Sequence, residues 1–153
     1  MPHIARQYPH HFEHLNSPHS ILFITVCTHN RKSLLANDSS WKCLVNLWSG
    51  SRNWVVGRYC ILPDHLHLFV QPRGNSSEPL KFWIHYWKWA FSKNLKELEK
   101  PIWQSDFWDT KIRRSDSYSS KWDYVRNNPV RHGYVTRAEE WRYQGEIYPL
   151  SQN

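Results

Sequence analysis

WVVGRYCILPDHLHLFVQP, residues Trp54–Pro72, decides how this chain folds. Two runs rich in β-branched and aromatic residues, Trp54–Leu62 and His65–Pro72, flank the dipeptide Pro63-Asp64. A connection that short joins antiparallel strands, so the stretch is expected to be a hairpin. Residues i and i+2 of a strand share a face, which turns His65 and His67 to one side and Leu66 and Leu68 to the other. A strand that otherwise reads as buried therefore carries two imidazoles side by side.

Outward from the hairpin, Ile21–Thr28 (ILFITVCT) is a further β-branched run. Ser39–Trp48 then sets Trp41, Leu44, Val45 and Trp48 at i, i+3, i+4 and i+7, which predicts an amphipathic helix capped by Asp38 or Ser39. After the loop PRGNSSEP, the segment Leu80–Leu98 has the pattern of a longer helix. Phe82, Ile84, Trp87, Phe91 and Leu95 form its apolar side and Lys81, Lys88, Lys93 and Lys96 its basic one. IWQSDFWDTKIRR (Ile102–Arg114) predicts a short strand with Phe107 and Ile112 inward, and SDSYSSKWDYVRNNPV (Ser115–Val130) a last helix stopped near Pro129. The order β-α-β-β-α-β plus a helix is the ferredoxin-like plan. The expected fold is α+β, an antiparallel sheet with helices on one face and a C-terminal tyrosine-bearing helix. Residues 1–20 are expected as a flexible arm, 21–142 as one domain and 143–153 as a tail.

Twenty Lys and Arg against thirteen Asp and Glu give the 153-residue chain a net charge of +7, which favours a polyanion as partner. Aromatic residues make up 16% of the chain and include ten tryptophans, more than a small core needs; interleaved with cations, they suit stacking on unpaired bases. Cys27, Cys43 and Cys60 fit no metal-finger or CxxC spacing and read as thiols of a reducing cytoplasm. No apolar run approaches a membrane span, and the first residues lack the apolar stretch of a signal peptide. A soluble, cytoplasmic and nucleoid-associated protein is the expectation. His3, His10, His11, His14 and His19 are a metal-binding tract or part of the flexible arm, and the neighbouring prolines favour the arm.

A His-x-His pair on a strand has two readings, transition-metal ligands or half-buried imidazoles satisfied by backbone. The last helix offers a complement. Tyr124 and Asn128 are spaced i and i+4, on one helical face, so that Asn128 can give a carbonyl oxygen to an ion while Tyr124 brings a phenol to whatever the ion polarises. A phosphate is the natural target. Asp64, directly before His65, is either a plain turn residue or a group that orients the imidazole.

LPDHLHLFV (Leu62–Val70) resembles the His-hydrophobe-His motif of the HUH endonuclease superfamily. WDYVRNNPVRHGYV (Trp122–Val135) resembles the tyrosine helix of the REP-associated tyrosine transposases, relatives of the single-tyrosine insertion-sequence transposases, and IWQSDFWDTKIRR is similar to the segment that precedes that helix. The likeness runs from about Ile21 to Trp141. It implies an enzyme that cuts single-stranded DNA beside a hairpin, in which Tyr124 attacks the phosphodiester and keeps the 5′ phosphate while a 3′ hydroxyl is freed. It further implies that His65 and His67 bind a divalent ion, Mg²⁺ or Mn²⁺; Asn128, the third ligand offered by helical spacing, precedes Pro129, which pushes such a residue away from helical dihedrals. A phenol of ordinary pKa near 10 needs such positive charge nearby to act at neutral pH.

Arg31, Lys32, Arg73, Arg113, Arg114, Arg126 and Arg131 are the candidate DNA contacts, chosen because most cluster in sequence around these motifs. Tyr118 and Tyr134 are the rival tyrosines. The expected partner is hairpin-bearing single-stranded DNA, met by a monomer or a homodimer. Two other functions compete: a hairpin-DNA binding protein without nuclease activity, and a metal hydrolase whose nucleophile is water rather than Tyr124.

Overall fold

The hairpin forms as its sequence requires. β2 (Trp54–Ile61) and β3 (His65–Pro72) pair antiparallel, with Trp54 opposite Pro72 and Ile61 opposite Leu66. The computed structural model describes residues 20–113 and 117–151. β1 (Leu22–Cys27) pairs antiparallel with β3 on one side and with β4 (Trp108–Lys111) on the other, and β5 (Gln144–Glu146) pairs with β2. The five-stranded sheet has the order β4-β1-β3-β2-β5. Residues 143–151, expected as a tail, thus supply an edge strand.

α1 (Asp38–Ser49) is capped by neither of the residues expected. Asn37 is the cap, its side-chain oxygen accepting the Ser40 N–H at 2.9 Å, while Asp38 is tied to Arg142 at 2.9 Å. α2 (Leu80–Asn94) stops one turn short of the expected end and keeps most of its expected apolar side. Trp83, Ile84, Trp87 and Phe91 are buried, whereas Phe82 is 57% exposed. Both helices cover the same face of the sheet, packing on Ile24, Val26, Leu66, Leu68 and Val70. Aromatic edges lock this layer, with ring centroids 5.6 Å apart for Trp48 and Trp87 and 5.4 Å for Trp87 and Trp103. Lys88 belongs to the buried side, not the basic one: its ammonium donates to the Gln104 carbonyl at 2.8 Å, and burial lowers its pKa to about 8.

The tyrosine helix, α3 (Tyr118–Arg126), takes the opposite face. Ser117 caps it by accepting the Ser120 N–H, and Tyr118, Trp122 and Val125 pack against Phe69, Ile21, Leu62 and Ile112. β3 is therefore covered on both sides, the arrangement its mixed pattern foreshadows. Its Leu66, Leu68 and Val70 meet α1 and α2, and its Phe69, in phase with His65 and His67, meets α3. A bulge in β2 between Val56 and Tyr59 opens a notch at Gly57. A Cβ there would lie 2.6 Å from both the Tyr118 hydroxyl and Leu150, so no larger residue fits. The bulge leaves the Arg58 N–H to donate to Tyr118 Oη at 2.9 Å.

Cys27, Cys43 and Cys60 are free thiols, the first and last buried and Cys43 half-buried. No helix among the described residues is long and apolar enough to cross a membrane. The N-terminal histidines and the expected arm fall on residues 1–19, outside the described residues.

Candidate active site

Strand phase delivers His65 and His67 to the α3 face, and their immediate neighbours fix how each ring is turned. His65 is almost wholly buried, with Nδ1 2.8 Å from Asp64 Oδ1 and 3.2 Å from Arg31 Nη2. Arg31 also donates from Nε to Asp64 Oδ2 at 3.1 Å. This cluster depends on a 3₁₀ turn, His29–Arg31, in which Asn30 and Arg31 hold φ of 56° and 53°. Left-handed backbone suits asparagine but costs an arginine, and the ion pair of the guanidinium with Asp64 offsets part of that strain. Burial pushes the Asp64 carboxyl up, but the hydrogen bonds from His65 and Arg31 outweigh it and bring the pKa down to about 2. An ionised Asp64 takes the hydrogen of Nδ1, so a neutral His65 ring presents its lone pair at Nε2.

His67 is held differently. Its Nδ1 lies 2.9 Å from the Thr25 hydroxyl, and its ring stacks on Phe23 with centroids 5.2 Å apart. Burial, followed by the positive charge of His65, Lys121, Arg131 and His132, keeps its pKa well below the ordinary histidine value. The two imidazoles stand edge to face at 5.0 Å, and the His132 ring lies 6.3 Å from that of His65. A histidine whose Nδ1 is engaged by a carboxylate or hydroxyl is arranged as metal-ligating histidines are, with Nε2 left for the ion. Two such rings fit a divalent ion in part. Among the described residues no group of three or more His, Cys, Asp and Glu side chains assembles around one point.

Tyr124 is 57% exposed on α3. The Arg131 guanidinium lies over its ring at 4.0 Å, and Lys121 Nζ is 5.8 Å from the ring centre. Lys121 also sits 4.8 Å above Phe23, the ring on which His67 stacks. A continuous set of contacts therefore runs from His67 through Phe23 and Lys121 to Tyr124. It borders a cleft of about 430 Å³ lined by Phe23, Thr110, Lys111, Ser120, Lys121 and Tyr124. The rival tyrosines have structural work: burial raises the Tyr118 pKa to about 12 while its hydroxyl accepts the Arg58 N–H, and Tyr134 stacks between His132 and Trp141.

Asn128 does not continue the helix of Tyr124. α3 ends at Arg126, and Asn128 opens a separate turn, α4 (Asn128–Arg131), because Pro129 disfavours continuation. Its buried carboxamide oxygen accepts from Arg131, which also donates to the Tyr124 carbonyl at 2.8 Å. A metal ligand at Asn128 first requires that guanidinium to leave.

The other proposed DNA contacts divide by place. Arg31 and Arg131 belong to the site. Lys32 pairs with Glu99 at 2.8 Å, and Arg126 lies 3.9 Å from Asp123 and 3.8 Å from Glu139. Arg113 is exposed one residue beyond Ile112, which lines the cleft, and Arg114 is outside the described residues. Arg73 is at the opposite end of β3 from the histidines, stacked over Tyr148 at 5.9 Å and donating to the Ser51 carbonyl. Thr25, Lys121 and His132 were not expected in the site. Lys121 alone carried a signal, one helical turn before Tyr124.

No family model matches the chain. An Escherichia coli protein named REP-associated tyrosine transposase is 27% identical over 133 residues, 79% of this chain and 73% of that protein. A Haemophilus influenzae protein assigned the same name is 36% identical over 110 residues, 59% of this chain and 61% of the relative. The chain resembles the REP-associated tyrosine transposases in sequence. Its match spans about three fifths of the length of the Haemophilus relative. A solved structure of a REP-associated tyrosine transposase bound to a REP hairpin has the same fold, with a TM-score of 0.70 over 94% of this chain and 82% of that chain at 23% identity. The α+β architecture and the resemblance to REP-associated tyrosine transposases expected from the sequence both stand.

Proposed function

We propose that this chain cuts and rejoins single-stranded DNA beside a hairpin, with Tyr124 as nucleophile. In this reading the Tyr124 phenol gives its proton to solvent as its oxygen attacks phosphorus, the bond from phosphorus to the 3′ oxygen breaks, the departing 3′ oxygen takes a proton from solvent, and the 5′ phosphate stays on the phenol. The step exchanges one phosphodiester for another, so rejoining needs no nucleotide cofactor. The observation that carries the reading is the placement of Tyr124 with Lys121 and Arg131 on the same sheet face as both imidazoles. In this reading those two cations would offset the negative charge of the attacking oxygen and of the phosphate.

His65 and His67 are the residues that would hold Mg²⁺ or Mn²⁺ through Nε2, with Asn128 joining only if Arg131 releases it. When bound, the ion supplies charge neutralisation at the phosphate. Asp64 and Thr25 keep the imidazoles turned for that task, and Phe23 closes one side of His67 against water. Arg31, Arg113, Arg126 and Arg131 would meet the DNA backbone; Arg73 would do so only on a DNA long enough to reach the far end of β3. That one relative was solved with a REP hairpin supports hairpin DNA as the partner.

The test incubates the protein with Mn²⁺ and labelled hairpin oligonucleotides carrying single-stranded flanks. The native protein gives a protease-sensitive adduct, while Tyr124→Phe gives none and retains hairpin affinity within about twofold, since one exposed hydroxyl contributes little to binding. Adduct formation by Tyr124→Phe would remove Tyr124 from the mechanism. Strand cleavage without any adduct would favour water as the nucleophile.

A further inference from the structure

The outer side of α2 carries aromatic residues that the fold does not use. Phe82, Tyr86 and Trp89 are 57%, 57% and 58% exposed, while Trp83, Ile84, Trp87 and Phe91 hold the helix to the sheet. At 100° per residue, positions 82, 86, 89 and 93 fall within about 60° of one another, so the three rings and Lys93 make one stripe. The Tyr86 and Trp89 centroids are 6.2 Å apart, and Lys93 Nζ stands 5.8 Å from the Trp89 ring. Lys81 borders the stripe, and no Asp or Glu occurs from Leu80 to Lys96. Beside it, a groove of about 340 Å³ between the end of α1 and the start of α2 presents Asn46, Arg52 and Asn53 next to Tyr86, with Glu78 as its one carboxylate.

Three large rings exposed along one line are unusual on a soluble domain and mark a contact surface. Charge selects the occupant. A second copy of the chain, also at +7, is repelled, whereas a polyanion is drawn to a stripe bordered by lysines and free of carboxylates. Aromatic faces interleaved with cations accept unpaired bases in any sequence, and the groove adds amide and guanidinium groups for base edges and phosphates. We infer that α2 is a second nucleic-acid surface, which stacks unpaired bases on Phe82, Tyr86 and Trp89 and meets their phosphates with Lys81, Lys93 and Arg52. α2 and α3 lie on opposite faces of the sheet, so the strand held here is a different segment from the one at Tyr124. The inference uses no residue of the Tyr124 cleft and stands apart from the chemistry assigned there.

The test uses the full chain, a labelled oligothymidine that cannot form a hairpin, and EDTA so that nothing is cut. Phe82→Ala/Tyr86→Ala/Trp89→Ala is expected to weaken oligothymidine binding by at least about fivefold, the smaller effect of losing one stacked base. Lys93→Gln is expected to reduce the slope of log affinity against log salt by about 0.7, the value for one phosphate contact on a single strand. Photo-crosslinking of the native protein is expected to label the peptide containing Tyr86 and Trp89, a result that does not depend on any variant folding. Unchanged affinity in the triple variant, with crosslinks confined to the α3 side, would overturn the inference. So would loss of self-association in sedimentation with oligothymidine affinity intact, which would make the stripe a contact between copies.

Discussion

Asp64→Asn asks whether the carboxylate beside His65 orients a metal ligand or merely shapes a turn. Asp64 accepts from His65 Nδ1 at 2.8 Å and from Arg31 Nε at 3.1 Å, and its carboxyl is held down at about 2, so it is charged across the working pH range. Hydrogen bonds to a charged group contribute about 1.5–3 kcal/mol, against about 1 kcal/mol for neutral pairs. The amide therefore forfeits about 1–2 kcal/mol of hold on the imidazole, and its single oxygen cannot serve His65 and Arg31 equally. Loss of an outer partner from a metal-bound histidine typically costs 10- to 100-fold in affinity, or about 1.4–2.8 kcal/mol, which agrees in size. Calorimetric titration of DNA-free protein with Mn²⁺ is expected to show binding weakened by that factor, and the Mn²⁺ concentration for half-maximal adduct is expected to move equally. Saturating Mn²⁺ should restore the full adduct yield. A dissociation constant within twofold of the native value, where His65→Ala abolishes binding, would refute the reasoning and leave Asp64 as a turn residue.

Tyr118→Phe leaves the Arg58 N–H of the β2 bulge without its acceptor, and should lower stability to urea by about 1–3 kcal/mol; an unchanged midpoint would mean that the group finds water instead. Lys88 gives a pH signature. Burial lowers its pKa from an ordinary 10.5 to about 8, so between these values the unfolded chain holds a proton that the folded chain has released, and this contribution raises stability as pH rises through the window. Below pH 8 both states are charged and the full penalty, roughly 3 kcal/mol, is present. Cys60, whose thiol burial raises to about 12, acts in the opposite sense above pH 9 in native protein and variant alike, so the difference is the quantity to measure. Lys88→Met should gain most over the native protein below pH 8 and lose that advantage toward pH 10.5, and a difference independent of pH would show that the ammonium is solvated.

What could be read from the sequence was what local spacing determines. Pro63-Asp64 between two β-branched runs gave the hairpin, and the i, i+2 spacing put both imidazoles on one face. Where adjacent residues compete for one role, spacing could not choose. Asn37, Asp38 and Ser39 are all competent caps, and the chain's path from Leu34 selected Asn37. In Leu80–Asn94 aromatics occur nearly all round the helix, so spacing found Ile84, Trp87 and Phe91 but took Phe82 for inward in place of Trp83. Gln144–Glu146 has no apolar alternation to announce a strand; the open edge of β2 recruits it. At the site, spacing offered Tyr124 and resemblance alone gave it the role of nucleophile. Lys121 and His132 enter through packing between elements far apart in sequence, and the i, i+4 argument for Asn128 assumed one helix across Pro129 where the chain starts a new turn.

Gly57 has a consequence for how the phenol reaches its partners. The notch over this glycine receives the first residue of α3, and Phe69 receives Tyr118 and Trp122 at 4.9 Å and 6.4 Å, so the helix is latched to the sheet of its own chain at the end remote from Tyr124. Two copies trading this helix would each have to withdraw Tyr118, strip the Arg58 amide and bare a row of rings. The latch makes such an exchange costly and, in the reading proposed above, would keep Tyr124 with the histidines of its own polypeptide.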